Sequence, residues 1–235
     1  IIHFYETFLK EYDPKLRKTR GVWYTPKPVV NFIVRAVDDI LMSEFGLSQG
    51  LADTSKTTIK TTTQTADKRS TTGYKLIEQE VHRVQILDPA TGTGTFLAGV
   101  VKHIHKKFDG QQGIWGSYVG THLLPRLNGF ELLMASYAMA HLKLELLLKE
   151  TGYNSQSKQR LKIFLTNSLE QASREVPNLF MSKWLSEEAI KADFVKRDTP
   201  VMCVIGNPPY AVSSTNKGDW IQNLISDYKK NLNEG

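Results

Sequence analysis

The residues best suited to chemistry are Asn207-Pro208-Pro209-Tyr210, which directly follow the apolar run Val201-Met202-Cys203-Val204-Ile205 and Gly206. Two consecutive prolines lack N–H groups and hold a fixed φ, so a strand ending here leaves its sheet extended and stiff. That exit presents the Asn207 side chain and the Pro208 carbonyl side by side as hydrogen-bond acceptors, with the Tyr210 ring nearby. A flat ring that stacks on tyrosine while its amino group donates to two oxygens suits such a site, and adenine is one. The competing reading is a proline-stiffened turn with a packing tyrosine.

A second stretch, Val84-Gln85-Ile86-Leu87-Asp88-Pro89-Ala90-Thr91-Gly92-Thr93-Gly94-Thr95-Phe96, reads as a short apolar strand, an acid at its carboxyl end, a Gly-x-Gly turn and a helix. Gly92 and Gly94 permit positive φ and close approach of a ligand to the backbone. In open α/β sheets this carboxyl-end crevice receives nucleotide-like ligands. Leu97 stands where a dinucleotide motif needs its third glycine, which argues against NAD, and the Gly-Lys-Ser/Thr ending of a phosphate loop is absent. Glu131 ends the next expected strand and could clamp a ribose diol, or simply interact with a helix dipole. Its distance from the Asp88 turn is about twice the usual twenty or so residues, so an insertion must intervene. Asn167, after Lys162-Ile163-Phe164-Leu165, could read the amino edge of a base or start a turn. Upstream, Thr25 before Pro26 reads as an N-cap and first helical position; alternatively its hydroxyl and the preceding aromatics, Tyr24 among them, line a cofactor pocket.

These residues need a scaffold of alternating strands and helices. Apolar periodicity predicts a helix over Ile1–Tyr12, another from Pro26 to about Met42 that buries Val30, Ile33, Val37 and Ile40 or Leu41, and one from about Phe96 to Lys107. Residues 109–127 read as a Gly- and aromatic-containing loop. A long helix to about Glu150 is expected to turn Leu133, Ala138, Leu142 and Leu146 inward. Helices over Ser182–Lys196 and Asp219–Lys230 follow. The Thr-, Ser- and Lys-rich stretch near residues 52–72 is β-prone at Thr57–Thr63, and Tyr74–Val84 alternates, which predicts an exposed hairpin. The expected organisation is an N-terminal helical segment over 1–50, a polar hairpin insertion over 51–83, and an α/β core over 84–235.

The 235 residues carry a formal charge of +6 and a pI near 9.2, which fits a polyanionic partner but does not require one. The lone Cys203 excludes an internal disulfide and fits a reducing compartment. No apolar run is long enough to span a membrane, and no His or Cys spacing suggests a metal site. The chain begins at Ile1 inside an amphipathic segment, which reads as a piece of a longer protein.

The pair Asp-Pro-Ala-x-Gly-x-Gly-x-Phe and Asn-Pro-Pro-Tyr, with Tyr-Thr-Pro upstream of both, resembles the amino-group DNA methyltransferases that modify adenine N6. The wording Thr19-Arg20-Gly21-Val22-Trp23-Tyr24-Thr25-Pro26 and Leu123-Leu124-Pro125-Arg126-Leu127-Asn128-Gly129-Phe130-Glu131 is similar to the methyltransferase part of single-polypeptide Type I-like (type ISP) restriction-modification enzymes. The resemblance implies a Rossmann-like sheet, incomplete at its C-terminus, that binds S-adenosylmethionine. It implies that Tyr24, Thr25 and Pro26 flank the methionine end of the cofactor. Asp88, Pro89, Ala90, Thr91, Gly92, Gly94, Thr95 and Phe96 would wrap its methionine and sulfonium portion. Glu131 would hold the ribose and Asn167, where the family usually has an acid, would lie beside the adenine. Asn207, Pro208, Pro209 and Tyr210 would receive an adenine flipped from double-stranded DNA, and no metal is implied. Nuclease, helicase and target-recognition domains would belong to the same bacterial, cytoplasmic polypeptide. Transfer to RNA or to a protein glutamine amide, or a non-catalytic docking role, are the alternatives.

Overall fold

The computed structural model describes residues 25–66, 74–154, 159–170, 183–209 and 217–230. The expected helix over Ile1–Tyr12 lies outside them, as do Tyr24 and Tyr210.

Helix α1 (Lys27–Ser43) begins one residue later than expected. Pro26, at φ −57° and ψ 139°, is its N-cap, and no side chain caps it. Pro28 in the first turn removes one of the N–H groups that a cap would have satisfied, so Thr25 is not needed there. The helix buries Val30, Val34, Asp38 and Leu41, with Ile33 and Val37 partly covered and Ile40 exposed. Buried Asp38 accepts hydrogen bonds from the Leu51 N–H at 2.7 Å and Lys107 Nζ at 2.8 Å, and pairs with His103 at 2.9 Å. Burial works to raise its pKa, but these bonds outweigh it and hold the carboxyl below its ordinary value.

Strands β1 (Lys56–Ala66) and β2 (Tyr74–His82) pair antiparallel, Lys56 opposite His82, as a two-stranded sheet of their own. The segments flanking these two strands are fixed by Arg126, which is fully buried. Its guanidinium donates to the carbonyls of Leu51 at 2.5 Å, Val84 at 3.4 Å and His122 at 2.9 Å, and to the Tyr118 hydroxyl at 2.6 Å. His82 Nε2 lies 3.0 Å from His122 Nδ1, with the rings at nearly right angles.

The core follows in chain order: β3 (Ile86–Asp88), α2 (Thr95–Lys106), α3 (Gln112–Tyr118), β4 (Leu127–Glu131), α4 (Met134–Glu150), β5 (Lys162–Leu165), α5 (Lys183–Asp198), β6 (Cys203–Val204) and α6 (Asp219–Lys229). All four core strands are parallel, in the order β5-β4-β3-β6. One face of the sheet, carrying Ile86, Ile163, Cys203 and Ile205, shares a single hydrophobic core with α1, α2, α3 and α4. On the other face Phe130 and Phe164, with Leu87 at their margin, pack against Ala192 and Val195 of α5.

Four expectations are corrected. The expected loop before β4 is helical: α3 runs into a π turn (Val119–Leu123) and a 3₁₀ turn (Leu124–Arg126). Trp115, buried against Phe108, His105 and Tyr118, holds that segment down despite its glycines. In α4 the inward residues are Ser136, Ala140, Leu144, Leu147 and Leu148, while Ala138, Leu142 and Leu146 are exposed. Apolar residues are spread round that helix with little preference for one face, so periodicity could not choose its buried side. The run Val201–Val204 forms only a two-residue ladder, and Val204 is 65% exposed because α5 covers the β4–β5 half of its face and not the β6 half. Thr25 is not a cap.

The free edge of β5 is closed by side chains. Glu188 of α5, only 1% exposed, accepts the Leu165 N–H at 3.1 Å, and Arg160 donates to the Ile163 carbonyl at 3.1 Å. Arg160 and Glu188 also pair with each other at 2.6 Å. No helix among the described residues is long and apolar enough to cross a membrane.

Candidate active site

Strand β3 runs to Asp88 because Ile86 is buried in the sheet, and Pro89 then ends the ladder. The chain turns through Gly92 (φ 55°) and Gly94 (φ 79°), the latter the left-handed N-cap of α2. This turn is fastened on three sides. Thr91 N–H donates to the Phe130 carbonyl at 2.9 Å, and its hydroxyl to the Asp88 carbonyl at 3.1 Å. Gly92 N–H donates to Glu131 Oε2 at 2.8 Å. Lys143 of α4 reaches Thr95 Oγ1 at 3.0 Å.

Asp88 is buried, and one carboxyl oxygen accepts the Ala90 N–H at 3.1 Å while the other, Oδ2, has no partner among the described residues. Burial pushes this carboxyl up to about 7; the Ala90 bond opposes the shift and neighbouring Glu131 adds to it. Glu131 sits at the carboxyl end of β4 with Oε1 accepting the Leu133 N–H at 2.7 Å, and burial raises its pKa too. Each carboxylate oxygen accepts two hydrogen bonds, so Glu131 retains capacity for further donors.

The loop after β5 closes over the same turn. The Ser168 hydroxyl donates to the Pro89 carbonyl. Asn167 Oδ1 accepts the Leu169 N–H at 3.0 Å, a local turn, and its carbonyl accepts Lys196 Nζ at 2.8 Å. Lys196 also donates to Thr166 Oγ1 at 2.8 Å and lies over the Phe130 ring.

Strand β6 lies beside β3, with Ile205 N–H donating to the Leu87 carbonyl at 2.9 Å. Gly206 therefore packs onto the Asp88 carboxylate. Asn207 comes next, its Nδ2 donating to Thr25 Oγ1 at 3.0 Å across 182 positions of sequence. Pro208 and Pro209 are exposed beyond it, and Pro26 is exposed beside Thr25.

The structure thus gathers Thr25, the turn from Asp88 to Phe96, Glu131, Asn167 and Asn207 at the carboxyl ends of β3, β4, β5 and β6. Chain order reverses between β3 and β6: β4 and β5 lie on one side of β3, and β6 on the other. Ligands of open α/β sheets bind at such a reversal. Gly206, Ser168 and Lys196 were not read from the sequence. Only Gly206, adjoining the Asn-Pro-Pro stretch, had a local signal. A separate cleft of about 510 Å³ between the hairpin, β5 and α5 contains none of the expected site residues; Thr61, Phe164, Lys191 and Phe194 are among its walls.

The described residues form an α/β fold on a parallel sheet, with the crevice at the reversal of strand order. The chain belongs to the N-6 DNA methylase family, whose profile matches residues 65–231. Among solved structures it is similar to a DrdV–DNA complex, with 25% identity and a TM-score of 0.61 over 97% of this chain and 18% of that one. It is also similar to the ATP-dependent Type ISP restriction-modification enzyme LlaBIII bound to DNA, with 22% identity and a TM-score of 0.66 over 97% of this chain and 14% of that one. A nuclease-deletion mutant of the Type ISP enzyme LlaGI, in complex with a DNA substrate mimic, matches at 23% identity and a TM-score of 0.61, over 88% of this chain and 14% of that one. This chain therefore spans less than a fifth of each of those structures. No curated protein matches it.

Proposed function

We propose that this chain is the S-adenosylmethionine-dependent methyltransferase part of a type ISP-like restriction-modification enzyme, acting on N6 of an adenine flipped from double-stranded DNA. The observation that carries the reading is the adjacency of β3 and β6. It sets the Gly-x-Gly turn and the Asn-Pro-Pro exit side by side at one reversal of chain order. A site for a methyl donor and a site for a planar amine are then neighbours. The reading takes the sheet as the first part of a Rossmann-like methyltransferase fold.

The residues present fit the cofactor. Gly92 leaves room for close approach, Gly94 at positive φ lets the turn pack on Ala140, Glu131 can accept ribose hydroxyls, and Asp88 Oδ2 faces no donor among the described residues. Thr25, Pro26, Pro89, Ala90, Thr91, Thr95 and Phe96 would complete the walls, with Asn167 towards the base and Tyr24 at the methionine end. Bound there, S-adenosylmethionine would supply a sulfonium-activated methyl group.

The protein's own task is to make adenine N6 nucleophilic. Its lone pair is delocalised into the ring, so the amine is planar and weak. Accepting its two N–H groups at Asn207 Oδ1 and the Pro208 carbonyl favours the pyramidal nitrogen of the transition state over the planar ground state. Pro209 stiffens that acceptor pair, and Tyr210 is assigned to stack on the flipped base. Positioning supplies much of the remaining rate. Similarity to the long restriction-modification enzymes motivates placing nuclease, helicase and target-recognition domains in the same polypeptide, working in a bacterial cytoplasm.

The test is methyl incorporation by the complete natural protein into DNA, RNA and protein, followed by analysis of the modified base. N6-methyladenine in DNA is the expected product. Asn207→Ala should keep cofactor affinity and lose methylation by roughly 10²–10³-fold, the usual cost of deleting a transition-state hydrogen-bond partner. Near-normal turnover in that variant would sink the assignment.

A further inference from the structure

We infer that Thr25 is a positioning residue for methyl transfer: its hydroxyl accepts from Asn207 Nδ2 and so holds the amide in place for the substrate amine. The inference rests on the function proposed above and gives Thr25 a role in addition to cofactor contact. A carboxamide has an accepting end and a donating end of nearly identical shape. Only the accepting end can receive an N6–H, and a reversed amide would set donor against donor. In this structure the NH2 end is the one engaged, by the Asn207–Thr25 hydrogen bond at 3.0 Å, which holds the side chain in place beside the Pro208 carbonyl.

The placement of Thr25 makes this possible. Pro26 caps α1 without any side chain, so the Thr25 hydroxyl is not spent on the helix. Pro26 and Pro28 stiffen the backbone on the C-terminal side of Thr25, and Pro208 and Pro209 do the same beyond Asn207. Both partners are partly buried, which strengthens the bond relative to one in water. Two proline-stiffened segments thus meet through one hydrogen bond.

The experiment uses the complete natural protein, with Thr25→Val, Thr25→Ser, Asn207→Ala and the double variant Thr25→Val/Asn207→Ala. S-adenosylmethionine Kd is read by calorimetry, and the methylation rate at saturating cofactor by single turnover on DNA. Thr25→Val should lower the rate at saturating cofactor by about 10²-fold, the scale of a small misplacement at a reacting centre, whatever its effect on Kd. Thr25→Ser, which keeps the acceptor, should restore most of the rate. In the Asn207→Ala background Thr25→Val should cost nothing further, because the group it orients is gone. A Thr25→Val protein with raised Kd and normal rate at saturation would overturn the inference and leave Thr25 as a cofactor contact. Additive losses in the double variant would overturn it as well. If the wild-type protein places no methyl on adenine, the proposed function itself falls, and that outcome is separate from either of these.

Discussion

Gly206 lies flush against the Asp88 carboxylate: a Cβ at position 206 would fall 2.5 Å from Asp88 Oδ1 and 3.3 Å from its Cγ. The residue that opens the Asn-Pro-Pro exit thus leaves no room for a side chain beside the acid of the Gly-x-Gly turn. Gly206→Ala should push Asp88 aside and lower stability by about 1–3 kcal/mol, the usual cost of overpacking. Cofactor affinity and methylation should fall together. Thermal melting and cofactor titration of the same variant check this; an unaltered Kd would show that the contact is not transmitted.

Asp88 should make stability and binding depend on pH near neutrality. Its folded pKa is raised, to about 7, so the protonated folded state is favoured. Its contribution is fully present below the ordinary carboxylate value and is lost as pH rises through about 7. Asp88→Asn should flatten that decline in a series of melting curves. A cation held next to this group favours its ionised form, so S-adenosylmethionine binding near pH 7 should release protons. Calorimetric enthalpies in buffers of different ionisation enthalpy would show the release, and equal enthalpies would refute it.

His82 titrates with the opposite sense. Burial, then the charge of Arg126 and the neighbouring His122, push its pKa down to about 4, with Lys56 and Lys162 adding smaller repulsions. The neutral ring is therefore the one that fits, and its contribution is complete above about 6.5 and lost as pH falls through about 4. Hydrogen exchange should show the hairpin roots opening before the core in that acid window. His82→Gln should weaken the pH dependence.

The Arg160–Glu188 pair should be worth more than a surface salt bridge. Arg160→Ala leaves a carboxylate that is 1% exposed without its cation, and breaking such a pair costs about 3–5 kcal/mol when both members are buried. Arg160 is partly exposed, so the lower end of that range is expected. Exchanging both residues for apolar ones of similar size should cost less. Urea denaturation of the three proteins checks the order.

Both turns that bear the site are legible in the sequence, because Gly92, Gly94, Pro208 and Pro209 restrict or release the backbone whatever surrounds them. The strands at Ile86 and Lys162 are legible for a related reason: short apolar runs leading directly into turn residues have few other uses. The buried face of α4 was not legible, since Leu142 and Leu144 are equally apolar and only the sheet beneath chooses between them. Trp115 makes a helix of a glycine-bearing stretch through tertiary burial, which local propensity cannot show. The role of Thr25 was hidden for a different reason. An N-cap and a partner for Asn207 demand the same residue type, and the fold alone decides.

The Asn207–Thr25 bond spans 182 positions, and β6 must slot beside a strand laid down far earlier in the chain. Helices α1 and α2 can form and pack soon after they leave the ribosome, but the reactive centre cannot. Every nascent chain that ends before Asn207 lacks it, however well the rest has folded. The proposed centre therefore matures as a late event of biosynthesis, and a prematurely terminated chain would carry the Gly-x-Gly turn without the acceptors proposed to hold the adenine.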